Sequence, residues 1–277
     1  MKFLPPKNNN YYFCILYYNF INYNMNNKVL HNNRLLNIKI CHVHPKKLNY
    51  TNFKNTIRKL PISIDFRTNP KMPPIRDQGN IGSCTAFALS GCVEFLSNKF
   101  NCSQLFLYYI ERKMENTIND DSGAYLHDGV KCLELYGVCS NALWPYNTNK
   151  YKIKPSAACF SDALKHQALI VKNIAQNELS MKACLASETP FVCGISVYSS
   201  FMSNTVALTG NAPMPNFSKD TFLGGHAIAV VGYTDKYWIC RNSWGSTWGN
   251  KGYFRLPLAY LLDTSLTTDL WCLLKME

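Results

Sequence analysis

Apolar and polar positions divide the chain into an irregular leading stretch and a patterned remainder. Residues 62–67, Ile62-Ser-Ile-Asp-Phe-Arg67, alternate as a half-buried strand does. Pro70, Pro73 and Pro74 then fix φ at three positions and turn the preceding residues away from helix, so extended chain is expected as far as Gly79 and Gly82. Over residues 85–95 apolar side chains recur at helical intervals (Ala88, Cys92, Phe95 and then Leu96), which predicts a helix with Ser83 as its N-cap. Further helices are predicted over 105–114 and 126–136, the second closed by Gly137. Beyond a Trp144-Pro145 turn the pattern predicts one helix over 178–186 and strands over 191–198 and 227–233. No internal repeat is visible. The expected architecture is α+β, a helical lobe over about 75–160 followed by a strand-rich lobe over about 161–277.

The last of these strands carries candidate chemistry. Gly225-His-Ala-Ile-Ala-Val-Val-Gly-Tyr233 and Tyr237-Trp-Ile-Cys-Arg-Asn242 flank the polar turn Thr234-Asp235-Lys236 and predict an antiparallel hairpin. Pairing about that turn sets position 226 opposite positions 242 to 244, where facing Cβ atoms lie about 5 Å apart. His226 and Asn242 are therefore expected to touch, the amide carbonyl holding one imidazole nitrogen and leaving the other to take a proton. Cys84 stands where a glycine-punctuated loop enters a helix, and the first-turn N–H groups there favour a thiolate. Gln78, six residues earlier, can turn its amide toward an oxyanion that the Cys84 N–H also faces. Singly, a buried Cys or a packed strand His is ordinary core. Together they read as nucleophile (Cys84), base (His226), orienting group (Asn242) and oxyanion donor (Gln78), a set that requires neither metal nor organic cofactor.

The formal charge of +12 suggests nucleic-acid binding until it is mapped: residues 1–60 hold ten Lys or Arg and no Asp or Glu, leaving nineteen basic and seventeen acidic residues beyond. The main body is near neutral, so a nucleic-acid partner is not expected. The leading segment's one apolar run, Tyr11-Tyr-Phe-Cys-Ile-Leu-Tyr-Tyr18, falls well short of the ~20 residues of a membrane span, and Asn residues follow where a signal-cleavage site would need small ones. No integral membrane segment is expected. Residues 1–60 read as a propeptide or N-terminal extension, 61–277 as the folded domain. Twelve cysteines show neither CxxC pairing nor metal-finger spacing. Most lie in apolar stretches as small buried hydrophobes, and their oxidation state is open. Cys41-His42-Val43-His44 offers three metal ligands without a fourth nearby, so no metal site is assigned. Sequons at Asn49, Asn101 and Asn216 permit glycosylation in a secretory route, and the compartment, secreted, endolysosomal or virion-associated, stays open.

Three segments together, Gln78-Gly-Asn-Ile-Gly-Ser-Cys84-Thr-Ala-Phe-Ala88, Gly225-His226-Ala, and Arg241-Asn242-Ser-Trp244-Gly-Ser-Thr-Trp248-Gly-Asn-Lys-Gly-Tyr-Phe254, resemble the papain family of cysteine peptidases in order and spacing from about residue 62 onward. The resemblance implies a papain-like two-lobe fold, a helical left lobe and an antiparallel β-barrel-like right lobe with the cleft between them. It implies an endopeptidase acting on protein or peptide substrates, made as a zymogen whose own N-terminal segment is the inhibitor, and a Trp244 that shields the imidazole. Gly123 is the implied substrate-backbone contact in Asp120-Asp-Ser-Gly-Ala-Tyr125, with Ser122, Tyr125, Gly225 and Trp244 also expected along the cleft and a pocket floor near residues 262–268. Thr85 stands where the family usually has Trp, and Ile81 where secreted members have a disulfide cysteine, features closer to a bacterial and large-virus branch. A catalytically silent papain-fold binding protein and a thiol-dependent acyl or amide transferase are the competing readings.

Overall fold

The computed structural model describes residues 30–31, 34–36, 38–39 and 60–277 except 99. The run at 11–18 and the cluster at 41–44 lie outside the described residues. Before the main body, β1 (Leu30–His31) and β2 (Arg34–Leu35) form a small antiparallel pair.

The first lobe is built on α1 (Cys84–Leu96), α2 (Gln104–Met114), α3 (Leu126–Leu135) and the short α4 (Ala157–Ala163). Every residue of α1 from Cys84 to Phe95 is buried, because the helix runs between the lobes with α2 and α3 on one side and the sheet on the other. Ser83 does not cap it as expected: no side-chain cap bond forms, and its hydroxyl pairs with Tyr146 Oη at 2.8 Å instead. Ser103 does cap α2, its Oγ accepting from the Phe106 N–H at 3.1 Å. Gly137 closes α3 with φ +68°, and a Cβ there would fall 2.0 Å from the Ala163 carbonyl oxygen, so the turn and the approach of α4 both require glycine.

The second lobe contains β4 (Ala168–Asn173), α5 (Glu178–Ala186), β5 (Phe191–Tyr198), α6 (Asn204–Thr209), β6 (Phe222–Tyr233), β7 (Tyr237–Arg241), β8 (Tyr253–Pro257), α7 (Leu258–Leu262) and β9 (Thr267–Met276). The strands run antiparallel in the order β4-β9-β5-β6-β7-β8, and β3 (Ile64–Asp65) crosses from the start of the domain to pair with β6. The expected barrel-like lobe is an open sheet rather than a closed barrel. Its edges, β4 and β8, do not meet, and the outer side of β8 is taken by residues 210–212, where the Arg255 N–H donates to Gly210 O and the Ala212 N–H to Arg255 O. The strand expected over 62–67 shortens to two residues, and that over 227–233 begins five residues earlier.

Ten cysteines fall among the described residues, all buried with free thiols, as expected of small core residues. The loops at residues 81 and 121 are joined by the Gly82 N–H donating to Asp121 Oδ1 at 2.9 Å, while Tyr108 Oη donates to the same oxygen.

Candidate active site

Cys84 opens α1 at the lobe interface, and its neighbour across the interface is β6, whose Ala227 N–H is directed at the sulfur. Burial pushes the thiol up to about 12; that N–H and those of Thr85 and Cys84 act the other way, while the Glu111 carboxyl raises it further. The helix-start effect thus has the expected sign but is outweighed by burial. Ionisation requires a cation at its side.

His226 on β6 is wholly buried, and its Nε2 lies 2.8 Å from Asn242 Oδ1. β6 and β7 pair through Ala229↔Arg241 and Val230↔Cys240, which continues toward 226 opposite 244 and brings Asn242, just past the end of β7, to the ring. The same Oδ1 accepts from the Ser243 N–H at 2.9 Å, so it is the carbonyl oxygen and the imidazole Nε2 is the donor. In the neutral ring, Nδ1 is then the basic nitrogen. Trp244, wholly buried, lies with its ring centroid 4.7 Å from that of His226, and Phe201 and Trp248 pack against it. It covers the imidazole; burial removes it from the cleft surface, where it was expected to meet substrate.

Gln78 is also fully buried and is held at both ends of its amide: Oε1 accepts from Ser243 Oγ at 2.6 Å, and Nε2 donates to Ile81 O at 2.9 Å. Its main-chain N–H donates to Ser243 O at 2.8 Å. One amide hydrogen is thus committed within the loop and a second is left for another acceptor.

One site residue escaped the sequence reading. Glu111 on α2 is fully buried beside the nucleophile, accepting from Thr85 Oγ1 at 2.7 Å, and burial pushes its carboxyl well above the usual carboxylate range. The signal was a carboxylate at helical spacing from Leu107 and Tyr108, on a face otherwise apolar.

The cleft wall at 122–125 is occupied by the chain itself. The Ile38 N–H donates to Gly225 O at 3.2 Å on the strand lobe, and the Lys39 N–H donates to Ala124 O at 3.1 Å on the helical lobe. The N-terminal segment bonds to Ala124, next to Gly123, the expected substrate contact; Gly123, at φ +68°, turns its N–H to Tyr108 Oη and its carbonyl to Ser122 Oγ. Ser122 Oγ also pairs with the Thr117 hydroxyl at 2.9 Å, and the Tyr125 N–H donates to Glu115 Oε1 at 2.8 Å. Ile38, nearly buried, points its Cδ1 at Gly194, beside Thr268. Among the described residues no group of three or more potential metal ligands gathers, and no helix is long and apolar enough to cross a membrane.

Similarity to known proteins agrees with this geometry. Over 211 residues the chain is 38% identical to an uncharacterised peptidase C1-like protein of Acanthamoeba polyphaga mimivirus, covering 70% of this chain and 68% of that protein. It spans between 43% and 57% of the length of the next three curated relatives. Xylellain, a cysteine protease from Xylella fastidiosa, superposes with a TM-score of 0.80 at 36% identity, covering 86% of this chain and 95% of that one. A procathepsin B from Trypanosoma congolense shares the fold at 19% identity, with a TM-score of 0.70 over 96% of this chain and 98% of that one. Residues 60–261 match the papain family cysteine protease domain, and the chain belongs to that family of cysteine peptidases.

Proposed function

We propose that the protein is a latent endopeptidase: Cys84 attacks the peptide carbonyl, His226 manages the proton, Asn242 orients His226, and Gln78 with the Cys84 N–H holds the oxyanion. The observation that carries this reading is the buried 2.8 Å bond between His226 Nε2 and Asn242 Oδ1, one residue before the Ala227 N–H that faces the Cys84 sulfur. The thiol proton passes to His226 Nδ1, and the resulting imidazolium supplies the cation that a buried thiolate needs. The sulfur bonds to the carbonyl carbon, and the oxyanion draws on the Cys84 N–H and the uncommitted hydrogen of Gln78 Nε2. As the C–N bond breaks, His226 returns the proton to the leaving amine. A water that gives its proton to His226 then hydrolyses the thioester.

Residues 1–60 are proposed to act as a propeptide. Residues 38 and 39 bond to both walls of the cleft, where an extended substrate would lie, and the family match begins at residue 60. Activity would then follow removal of the segment near residues 59–62. Fluorogenic peptides assayed with the full chain at pH 4–8, with Cys84→Ala and with an epoxide that alkylates papain-type thiols, test the chemistry. Hydrolysis that vanishes with Cys84 or the epoxide is expected. Folded protein freed of residues 1–60 that is silent throughout and leaves Cys84 unlabelled overturns it. N-terminal sequencing tests latency: a fully active protein still beginning at Met1 rules out the propeptide role.

A further inference from the structure

The contact between residue 39 and the cleft goes beyond main-chain occlusion. Lys39 extends along the helical wall to an ion pair with the Glu115 carboxylate, and its Nζ lies 5.5 Å from the centre of the Tyr125 ring. Glu115 closes α2 and exposes only 5% of its side chain. One of its oxygens is fixed by the Tyr125 N–H, so the other is aimed at the ammonium and cannot swing out to solvent without breaking that bond.

We propose that Glu115 and Tyr125 form a cation-recognising subsite of the cleft, filled in the latent chain by Lys39 and in turnover by a lysine or arginine side chain of the substrate. This inference rests on the peptidase reading for its substrate half only. A carboxylate held in a nearly dry site needs a cation or further donors, and an aromatic face beside it suits an ammonium or guanidinium and repels an acidic side chain. When residues 36–39 leave, Glu115 loses its partner. An extended peptide lying between the Gly225 and Ala124 carbonyls then carries a side chain to the same place, because that wall is reached through the residue bonded to Ala124. Ile38 fills the apolar slot at Gly194 and Thr268 on the opposite wall, as alternate side chains of an extended strand would. The segment thus presents an apolar and a basic side chain in succession. Burial is the larger influence and leaves the Glu115 carboxyl above its usual range, with Lys39 acting the other way.

Two measurements on the full chain decide the matter. In a Cys84→Ser background, which keeps the segment attached, amide exchange at Ile38 and Lys39 is compared with and without Glu115→Gln, a change that retains an oxygen for the Tyr125 N–H. Exchange about tenfold faster is expected, the scale of one lost charge-assisted hydrogen bond. Unchanged exchange means that Glu115 does not hold the lysine, and overturns the subsite whether or not the protein cleaves peptides. With active protein, a peptide library is digested and the residues preceding each cut are read by mass spectrometry. Lysine and arginine should exceed glutamate by about tenfold at one position, and Glu115→Gln should abolish that excess while cleavage continues. Cleavage with no basic preference, or with one that survives Glu115→Gln, overturns the substrate half while leaving the peptidase intact. No cleavage by the parent protein overturns the peptidase reading and the substrate half together, and leaves the exchange result to stand for the lysine contact.

Discussion

Adding one methyl group at Gly194 tests whether the apolar slot holds the N-terminal segment. Gly194 lies inside β5 without a left-handed φ, so alanine adds no backbone strain, but its Cβ would stand 3.1 Å from Ile38 Cδ1, 3.4 Å from Thr268 Oγ1 and 3.7 Å from Thr268 O. Thr268 belongs to β9, which is laddered to β5 and cannot retreat, whereas the Ile38 methyl can. The shortfall against an ordinary carbon contact is about half an ångström, so Ile38 must withdraw by about one carbon, which costs about 0.8 kcal/mol of apolar burial. That is roughly a fourfold weaker hold. Valine fills the slot and forfeits most of the burial of an isoleucine, about 1.5–3 kcal/mol, or roughly 10- to 150-fold. The assay is hydrogen exchange at the Ile38 amide, bonded to Gly225 O, in full-length Cys84→Ser protein, with thermal unfolding to check that β5 is undisturbed. Ile38→Val should weaken protection in the parent by a similar factor but add little further loss in the Gly194→Ala background, because the Cδ1 is already displaced there. Equal protection in the parent, alanine and valine forms would refute the slot.

Three further outcomes follow from the site. Asn242→Ala leaves the buried His226 Nε2–H without its acceptor, a cost of about 1–3 kcal/mol, so kcat/KM should fall roughly 5- to 150-fold; an unchanged kcat/KM in steady-state assays would refute the orienting role. Ser243→Ala removes the 2.6 Å donor to Gln78 Oε1, worth about 1 kcal/mol, so kcat should fall roughly fivefold with KM unchanged, a split that a general loss of packing would not give. Glu111 has a folded-state pKa above its unfolded value, so the native state keeps a proton that the unfolded state releases, and stability falls as pH rises from about 4.5 through the folded pKa. Glu111→Gln should flatten that decline in urea unfolding across pH 4 to 8; the same slope in both proteins would show that Glu111 does not cause it.

What the sequence disclosed and what it hid follow from how each element is stabilised. The helices over 104–114, 126–135 and 178–186 and the hairpin at 225–242 were legible because their signals are local: periodicity, a capping residue, a polar turn. β9 was not, although it lies within the sheet between β4 and β5; its pairing partners sit some 70 and 100 residues away, and nothing local marks it. The Ser83 cap failed because Tyr146, 63 positions later, captures the hydroxyl. The His226–Asn242 contact and the place of Cys84 at the helix start were readable since hairpin register and a loop-to-helix junction are short-range constraints. Glu111 and Glu115 were not, since a carboxylate on a helix reads as solvated until tertiary packing buries it.

The two lobes position each other's chemistry through the same few bonds. Arg241 extends from the strand lobe to Pro73 O at 2.9 Å and to Pro74 O, passing Gly91, whose missing Cβ would stand 3.3 Å from its Nε. Two residues on, Ser243 binds Gln78 through main chain and side chain, and the Gly245 N–H donates to Arg76 O. Gln78 and Asn242 are thus far apart in sequence yet belong to one hydrogen-bonded unit, with Ser243 linked to both. A displacement of the 73–78 loop therefore moves the proposed oxyanion donor and, through Ser243, the residue that orients the imidazole. Since burial raises the Cys84 thiol, the proposed nucleophile draws on that unit as a whole and not on the helix start alone. Arg241→Lys, which loses the planar two-carbonyl grip, loosens both functions at once.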